Sequence, residues 1–210
     1  RSSPETRSFQ FEKQLASGSL FLGSDFGTHL TLSPNGSRIV FVVRDRDGQL
    51  RLVSRRVEEE FRESTARDLP GTGGSRLPFS SPNGAWVGFW ADGQIKKTAV
   101  DGGKPVVLAT AADFGGASWV EDDHFIAVVG QSIMRVPASP GPTSVIVNLQ
   151  SQGVYPNWPD VLPGARHVLI TAIGPQGASQ IEAVSLADGN RKVLKKGGVF
   201  GRYRDGHLLY

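Results

Sequence analysis

The sequence predicts an all-β fold, a β-propeller of four-stranded antiparallel blades, and three observations carry that expectation. The first is a recurring phrase: Ser33-Pro34-Asn35-Gly36-Ser37-Arg38-Ile39-Val40-Phe41 is echoed by Ser81-Pro82-Asn83-Gly84-Ala85-Trp86-Val87-Gly88-Phe89. More distant copies are Leu162-Pro163-Gly164-Ala165-Arg166-His167-Val168-Leu169-Ile170 and Arg204-Asp205-Gly206-His207-Leu208-Leu209-Tyr210. The second is the interval between copies. Gly36 to Gly84 spans 48 residues, Gly84 to Gly164 spans 80, which is two steps of 40, and Gly164 to Gly206 spans 42. Trp119-Val120-Glu121-Asp122-Asp123-His124-Phe125-Ile126-Ala127-Val128 fills the skipped step. Periods of roughly 40 to 50 residues made of strands and turns mark propeller blades. The third is that every copy reads as a tight turn followed by a short run of β-branched and aromatic residues, too short for an independent helix.

The elements follow in order within each repeat. Pro-Asn-Gly supplies a fixed φ, a side chain that bonds its own backbone, and a residue free to take positive φ, so it makes a hairpin turn. The strands Ile39 to Val43, Val87 to Trp90, Phe125 to Val129 and Val168 to Ala172 come next, apolar enough to be buried on both faces. A second turn follows, Asp45-Arg46-Asp47-Gly48, Ala91-Asp92-Gly93, Gly130-Gln131 or Gly174-Pro175-Gln176-Gly177. Strands with polar residues alternating against apolar ones are then expected at Gln49 to Val53, Gln94 to Lys97, Ser132 to Val136 and Gln180 to Val184. A fourth strand is expected at Val106 to Leu108, Val145 to Val147 and Lys192 to Leu194, two of these after Asp-Gly turns at Asp101 and Asp188.

With its Ser-Pro-Asn-Gly turns, Ile-Val-Phe-like strands and Asp101-Gly102-Gly103 turn, the chain resembles the WD-like repeats of TolB-type six-bladed propellers. Asn35 and Asn83 stand where those repeats carry Asp, and Asn serves the same turn. The resemblance covers roughly residues 28–210. It is strongest from Arg76 to Leu108 and weakest in the third repeat, which lacks the Pro-Gly turn. The wording Phe89-Trp90-Ala91-Asp92-Gly93-Gln94-Ile95-Lys96-Lys97 with Gly102-Gly103-Lys104-Pro105, and the closing Tyr203 to Tyr210, also resemble the propeller appended to many bacterial serine/threonine kinases. Similar propellers precede the hydrolase domain of prolyl-oligopeptidase-like enzymes.

Blade size sets the expected organisation. At about 40 to 45 residues per blade, residues 28–210 provide four blades, near 28–74, 75–113, 114–153 and 154–198, and the opening of a fifth at 199–210. Residues 1–27 are expected to be an N-terminal extension whose alternating segment Ser8-Phe9-Gln10-Phe11-Glu12 pairs with the last blade and closes the ring. The preferred expectation is a piece of a six-bladed ring completed by another segment or by oligomerisation; the alternative is a self-closed five-bladed ring.

Composition agrees with this class and excludes others. The 26 glycines and 13 prolines among 210 residues suit an architecture that needs about four turns per blade. No apolar run approaches the 18 or so residues of a membrane-spanning helix, so no membrane insertion by this segment is expected. Without cysteine, disulfides and thiolate metal sites are excluded. The net charge of +3 is spread along the chain, whereas nucleic-acid binding needs Lys and Arg gathered on one face.

Chemistry-bearing motifs are few. There is no Gly-x-Ser-x-Gly elbow, and Gly71-Thr72-Gly73-Gly74-Ser75-Arg76 has Arg76 where a dinucleotide fingerprint needs glycine, so it reads as the connection between the first two blades. His29, His124, His167 and His207 are not spaced as metal ligands. Asp45-Arg46-Asp47-Gly48 lacks the later acidic positions of a calcium loop and reads as a hairpin turn. Asp122 and Asp123 read as turn residues, and the mixed-charge stretch Arg55 to Arg67 as an exposed insertion. No catalytic residue, metal or cofactor is assigned. Of Trp86, Trp90, Trp119 and Trp158, at least three are expected to pack between blades.

Binding is expected on loops carried by the rigid scaffold. The loops preceding the innermost strands surround one end of a propeller channel. Their polar or aromatic members, His29, Arg76, Asp113, Tyr155 and Arg202, are the candidate ligand-binding rim. The expected function is a non-catalytic binding or scaffold domain for a protein or peptide, or a small ligand. The kinase resemblance implies a sensor module outside the cytoplasmic membrane, periplasmic or extracellular. The alternative is the substrate-gating propeller of a prolyl-oligopeptidase-like serine hydrolase; a propeller with a catalytic rim is a third option.

Overall fold

The computed structural model describes residues 29–57, 66–120 and 123–210. The expected strand at Ser8 to Glu12, most of the insertion between Arg55 and Arg67, and Asp122 lie outside the described residues. Each repeat forms its own antiparallel sheet. β1 (Leu30–Leu32), β2 (Arg38–Arg44), β3 (Leu50–Arg56) and β4 (Arg67–Asp68) make the first. The second contains β5 (Arg76–Ser80), β6 (Trp86–Ala91), β7 (Gln94–Ala99) and β8 (Val106–Thr110). β9 (Phe114–Trp119), β10 (His124–Val129), β11 (Ser132–Pro137) and β12 (Ser144–Asn148) make the third. β13 (Tyr155–Val161), β14 (His167–Ile173), β15 (Ser179–Ser185) and β16 (Arg191–Lys196) make the fourth. A final hairpin pairs β17 (Arg202–Arg204) with β18 (His207–Leu209). The only helical turn among the described residues is a 3-10 turn at Gln150–Gln152.

The turns form for the reason their residues give. At Ser33 to Gly36 the Gly36 N–H donates to the Ser33 carbonyl (2.8 Å), and Asn35 Oδ1 accepts from the Ser37 N–H (3.1 Å). Gly84 repeats the arrangement with Ser81, at φ +68°. A side chain is rarely tolerated at that φ.

Side-chain alternation then joins the four sheets to one another in series, because successive residues of a strand face opposite sides. Along β6, Val87, Phe89 and Ala91 turn toward the first blade and pack with Val40, Val42 and Leu52. Along β10, Phe125 and Ala127 join Phe79, Ile95 and Leu108 of the second blade, while Ile126 and Val128 join Val168, Ile170 and Val184 of the fourth. These second strands are therefore buried on both faces, as their unbroken apolar sequence predicts. Each fully buried Phe or Leu removes enough apolar surface to contribute about 1.5–3 kcal/mol.

The seam between the second and third blades is aromatic. Phe79 sits 5.2 Å from Phe125, 6.0 Å from Trp119 and 6.4 Å from Phe114, all in tilted arrangements that ring quadrupoles favour. The Trp119 indole N–H donates to the Phe79 carbonyl (3.3 Å), and the Trp90 indole N–H to the Ala111 carbonyl (2.7 Å). Trp119 and Trp90 are thus packing residues with satisfied indoles. Trp86 lies under the Lys97 ammonium, and Trp158 stacks at 5.6 Å on Phe200.

Candidate functional site

The first strands of neighbouring sheets lie against one another, β1 beside β5, β5 beside β9 and β9 beside β13, and the last hairpin bonds to β13 through Arg202 and Tyr203; in the propeller plan these are the inner strands that surround the channel. Three of them carry one extra residue. Between Arg76 and Phe79 β5 advances three positions while β6 advances two, β13 does the same against β14 between Asn157 and Asp160, and β9 bulges opposite Val128 and Val129. Leu77 and Trp158 occupy two of these bulges at φ 52° and 49°, each immediately before a proline. Such backbone costs on the order of 1–3 kcal/mol for a residue with a side chain. Proline suits the next position because a bulge leaves one N–H without a ladder partner. A bulge bends its strand and re-aims the side chains beside it, and the residues after these bulges lead into the hairpin turns at Ser81, Val120 and Leu162.

At the hairpin end a cavity of about 660 Å³ opens, with every inner strand contributing to its wall. Thr31 and Ser33 come from the first blade, Phe79 and Ser80 from the second, Ser118 and Trp119 from the third, Pro159 and Asp160 from the fourth, and Arg202 and Arg204 from the last hairpin. Hydroxyl and carboxylate side chains at corresponding strand positions tie three of the four neighbouring pairs of sheets, and the Trp119 indole bridges the remaining pair, the second and third. Thr31 Oγ1 donates to Ser80 Oγ (3.2 Å), the Val161 N–H donates to Ser118 Oγ (3.0 Å), and the Tyr203 N–H donates to Asp160 Oδ2 (2.9 Å).

Charge concentrates on the side formed by the fourth blade and the last hairpin. Asp160 Oδ2 also takes Arg204 Nη1 at 3.5 Å, and Arg204 Nη1 donates to the Tyr203 carbonyl. Arg202 donates through Nη1 to the carbonyls of Trp158 (3.0 Å) and Gly201 (3.1 Å), and its guanidinium lies 4.1 Å over the Phe200 ring. Burial draws the Arg202 guanidinium below the usual arginine value, with Asp160 opposing the shift and Arg204 adding to it. It remains a cation at any neutral pH. A second cavity of about 250 Å³ adjoins the first, sharing Trp119 and Arg204 with it, and is otherwise lined mainly by apolar residues such as Val120, Val161, Leu162 and Tyr203.

The five residues expected at the channel rim all lie at or just before the starts of inner strands: His29 and Asp113 precede β1 and β9, and Arg76, Tyr155 and Arg202 begin β5, β13 and β17. Tyr155 is half exposed, at 51%. Arg202 is the one of the five that lines the larger cavity, which lies toward the opposite ends of these strands. Thr31, Ser118, Asp160 and Arg204 are the site residues that motif reasoning passes over. Thr31, Ser118 and Asp160 share one position, two residues before the N–H that closes each hairpin at Ser33, Val120 and Leu162. Aligning the repeats on that position is the signal that finds them.

No family model matches the chain, and no curated protein matches it. Solved structures do. A TolB-like protein of Agrobacterium tumefaciens superposes with TM-score 0.70 at 15% identity, over 85% of this chain and 70% of that one. TolB from Acinetobacter baumannii gives TM-score 0.67 at 12% identity, over 83% of this chain and 45% of that one. The β-propeller domain of the Trilobed protease from Pyrococcus furiosus, described as having an open velcro topology, gives 0.52 at 13% identity, over 80% and 57%. The chain spans about half the length of the last two. What is shared at these identities is the fold, a TolB-type β-propeller of four-stranded antiparallel blades.

Proposed function

From the premise of a TolB-type propeller fold, we propose that this chain is a non-catalytic binding domain that receives a segment of a protein or peptide partner at the hairpin end of its channel. The observation that carries the reading is the cavity of about 660 Å³ to which all five inner strands contribute. Its size falls in the range of sites that engulf a ligand. Its wall mixes hydroxyls, an indole edge, prolines and two guanidiniums, which together hydrogen-bond and stack on an extended backbone. Its hydroxyls stand without a histidine or lysine among the lining residues, so no nucleophile is paired there with a base of the kind acyl transfer needs.

In a longer protein this domain serves as the sensor or scaffold module of a bacterial serine/threonine kinase, outside the cytoplasmic membrane. The likeness to the Trilobed protease propeller supports a second reading, in which the same channel restricts access to a hydrolase domain. The experiment that tests the binding reading is selection from a synthetic library of octapeptides with free termini, using the wild-type chain and Ser118→Tyr, which fills the cavity. Enrichment by wild type and its loss in the variant, with an unchanged circular dichroism spectrum, is the expected outcome. Equal selection by both would place binding elsewhere and overturn the reading.

A further inference from the structure

Two cavities that share a wall make stricter demands on a ligand than either alone. The larger carries two guanidiniums against one carboxylate, and that carboxylate, Asp160, already receives the Tyr203 N–H and Arg204. Arg202 forms no ion pair among the described residues, and its hydrogen bonds leave from Nη1 alone. A partly buried guanidinium with free donors facing a cavity is a seat for a planar anion, which its fork can meet with two parallel hydrogen bonds. The smaller cavity is bordered by the side chains of Val120, Val161, Leu162 and Tyr203, with Arg204 as its charged member, and polar and apolar groups share its surface about equally.

Arg204 and Trp119 border both spaces. Anion and apolar group must therefore hang from nearly the same atom of the ligand. In an extended peptide, side chains of adjacent residues point to opposite faces, so an internal acidic residue and its apolar neighbour do not enter side by side. A terminal residue carries both groups on one Cα. We infer that this site, granted the peptide-binding reading on which the inference rests, recognises the free carboxyl terminus of a partner that ends in an apolar residue. The carboxylate lies against Arg202 and Arg204, and the last side chain enters the smaller cavity. The preceding residues run across the larger cavity past Ser118 and Ser80.

The test is fluorescence anisotropy with the whole chain and N-terminally labelled hexapeptides of common sequence. They end in Leu as the free acid, in Leu as the amide, in Lys as the free acid, or in Leu amide with Asp two residues earlier. The free Leu acid is expected to bind at least about tenfold more tightly than the amide or the Lys peptide, the scale of a charge-assisted hydrogen bond. Arg204→Gln, whose side chain is 64% exposed and so leaves the fold intact, should weaken the Leu acid by a similar factor and the amide by much less. Equal binding of acid and amide, or tightest binding of the Asp peptide, would overturn carboxyl-terminal recognition while leaving peptide binding standing. Absence of binding by all four, together with an empty library selection, would bring down both.

Discussion

At the scale of single residues, Gly88 shows how packing rather than turn geometry can demand glycine. Its backbone is unremarkable, but a Cβ placed there would stand 2.2 Å from Phe79 Cζ, inside the ring that fills the second seam. Gly88→Ala is expected to cost about 1–3 kcal/mol, the range for overpacking a dense core, as read by urea unfolding. A loss below a few tenths would mean that the Phe79 ring swings aside freely. That close approach is invisible in the sequence, where Gly88 sits among Val87, Phe89 and Trp90 and reads as one more strand residue. The turn glycines are legible because their neighbours announce them. The cavity-lining residues divide similarly: Arg202 is among those expected at inner-strand starts, whereas Ser118 and Asp160 are masked because the turns after Trp119 and Val161 have lost the Ser-Pro-Asn-Gly wording, and Thr31 because nothing in one repeat singles it out.

Elements were legible to within a residue or two wherever turn residues bracketed them, as with β6, expected over Val87 to Trp90 and found at Trp86–Ala91. The short innermost strands were harder, because β5 and β13 break their alternation at Leu77-Pro78 and Trp158-Pro159, where a bulge replaces regular pleating. What joins one sheet to the next is better seen in space than in sequence. Phe79 touches three aromatic residues of the third blade and shares its carbonyl with Trp119. Phe79→Ala is expected to destabilise by about 3–5 kcal/mol, as for large aromatic truncations. Near-UV circular dichroism should weaken as Trp119 loses its fixed surroundings. A near-UV spectrum identical to wild type would show that Trp119 is held by its own blade, not by the seam.

For the molecule as a whole, the repeat period made the architecture legible, whereas nothing in the sequence says at which end of the channel the inner strands leave room. The seams also separate the energetics. Leu52 packs between the first two blades and Ile170 between the third and fourth, with no residue in common. Leu52→Ala and Ile170→Ala should therefore add to within about 0.3–0.5 kcal/mol in a double mutant. A coupling beyond 1 kcal/mol would mean that strain travels from seam to seam. The side-chain bonds between inner strands have a consequence of another kind. Inner strands that splay around an axis cannot share a backbone ladder, so Thr31, Ser118 and Asp160 make side-chain bonds across three of the junctions and set the spacing of the strands there. A ligand of the proposed kind would meet strands whose spacing is already set. Little ordering remains to be done on contact, so association should run at the pace of encounter, and differences among ligands should be expressed in how long each one stays.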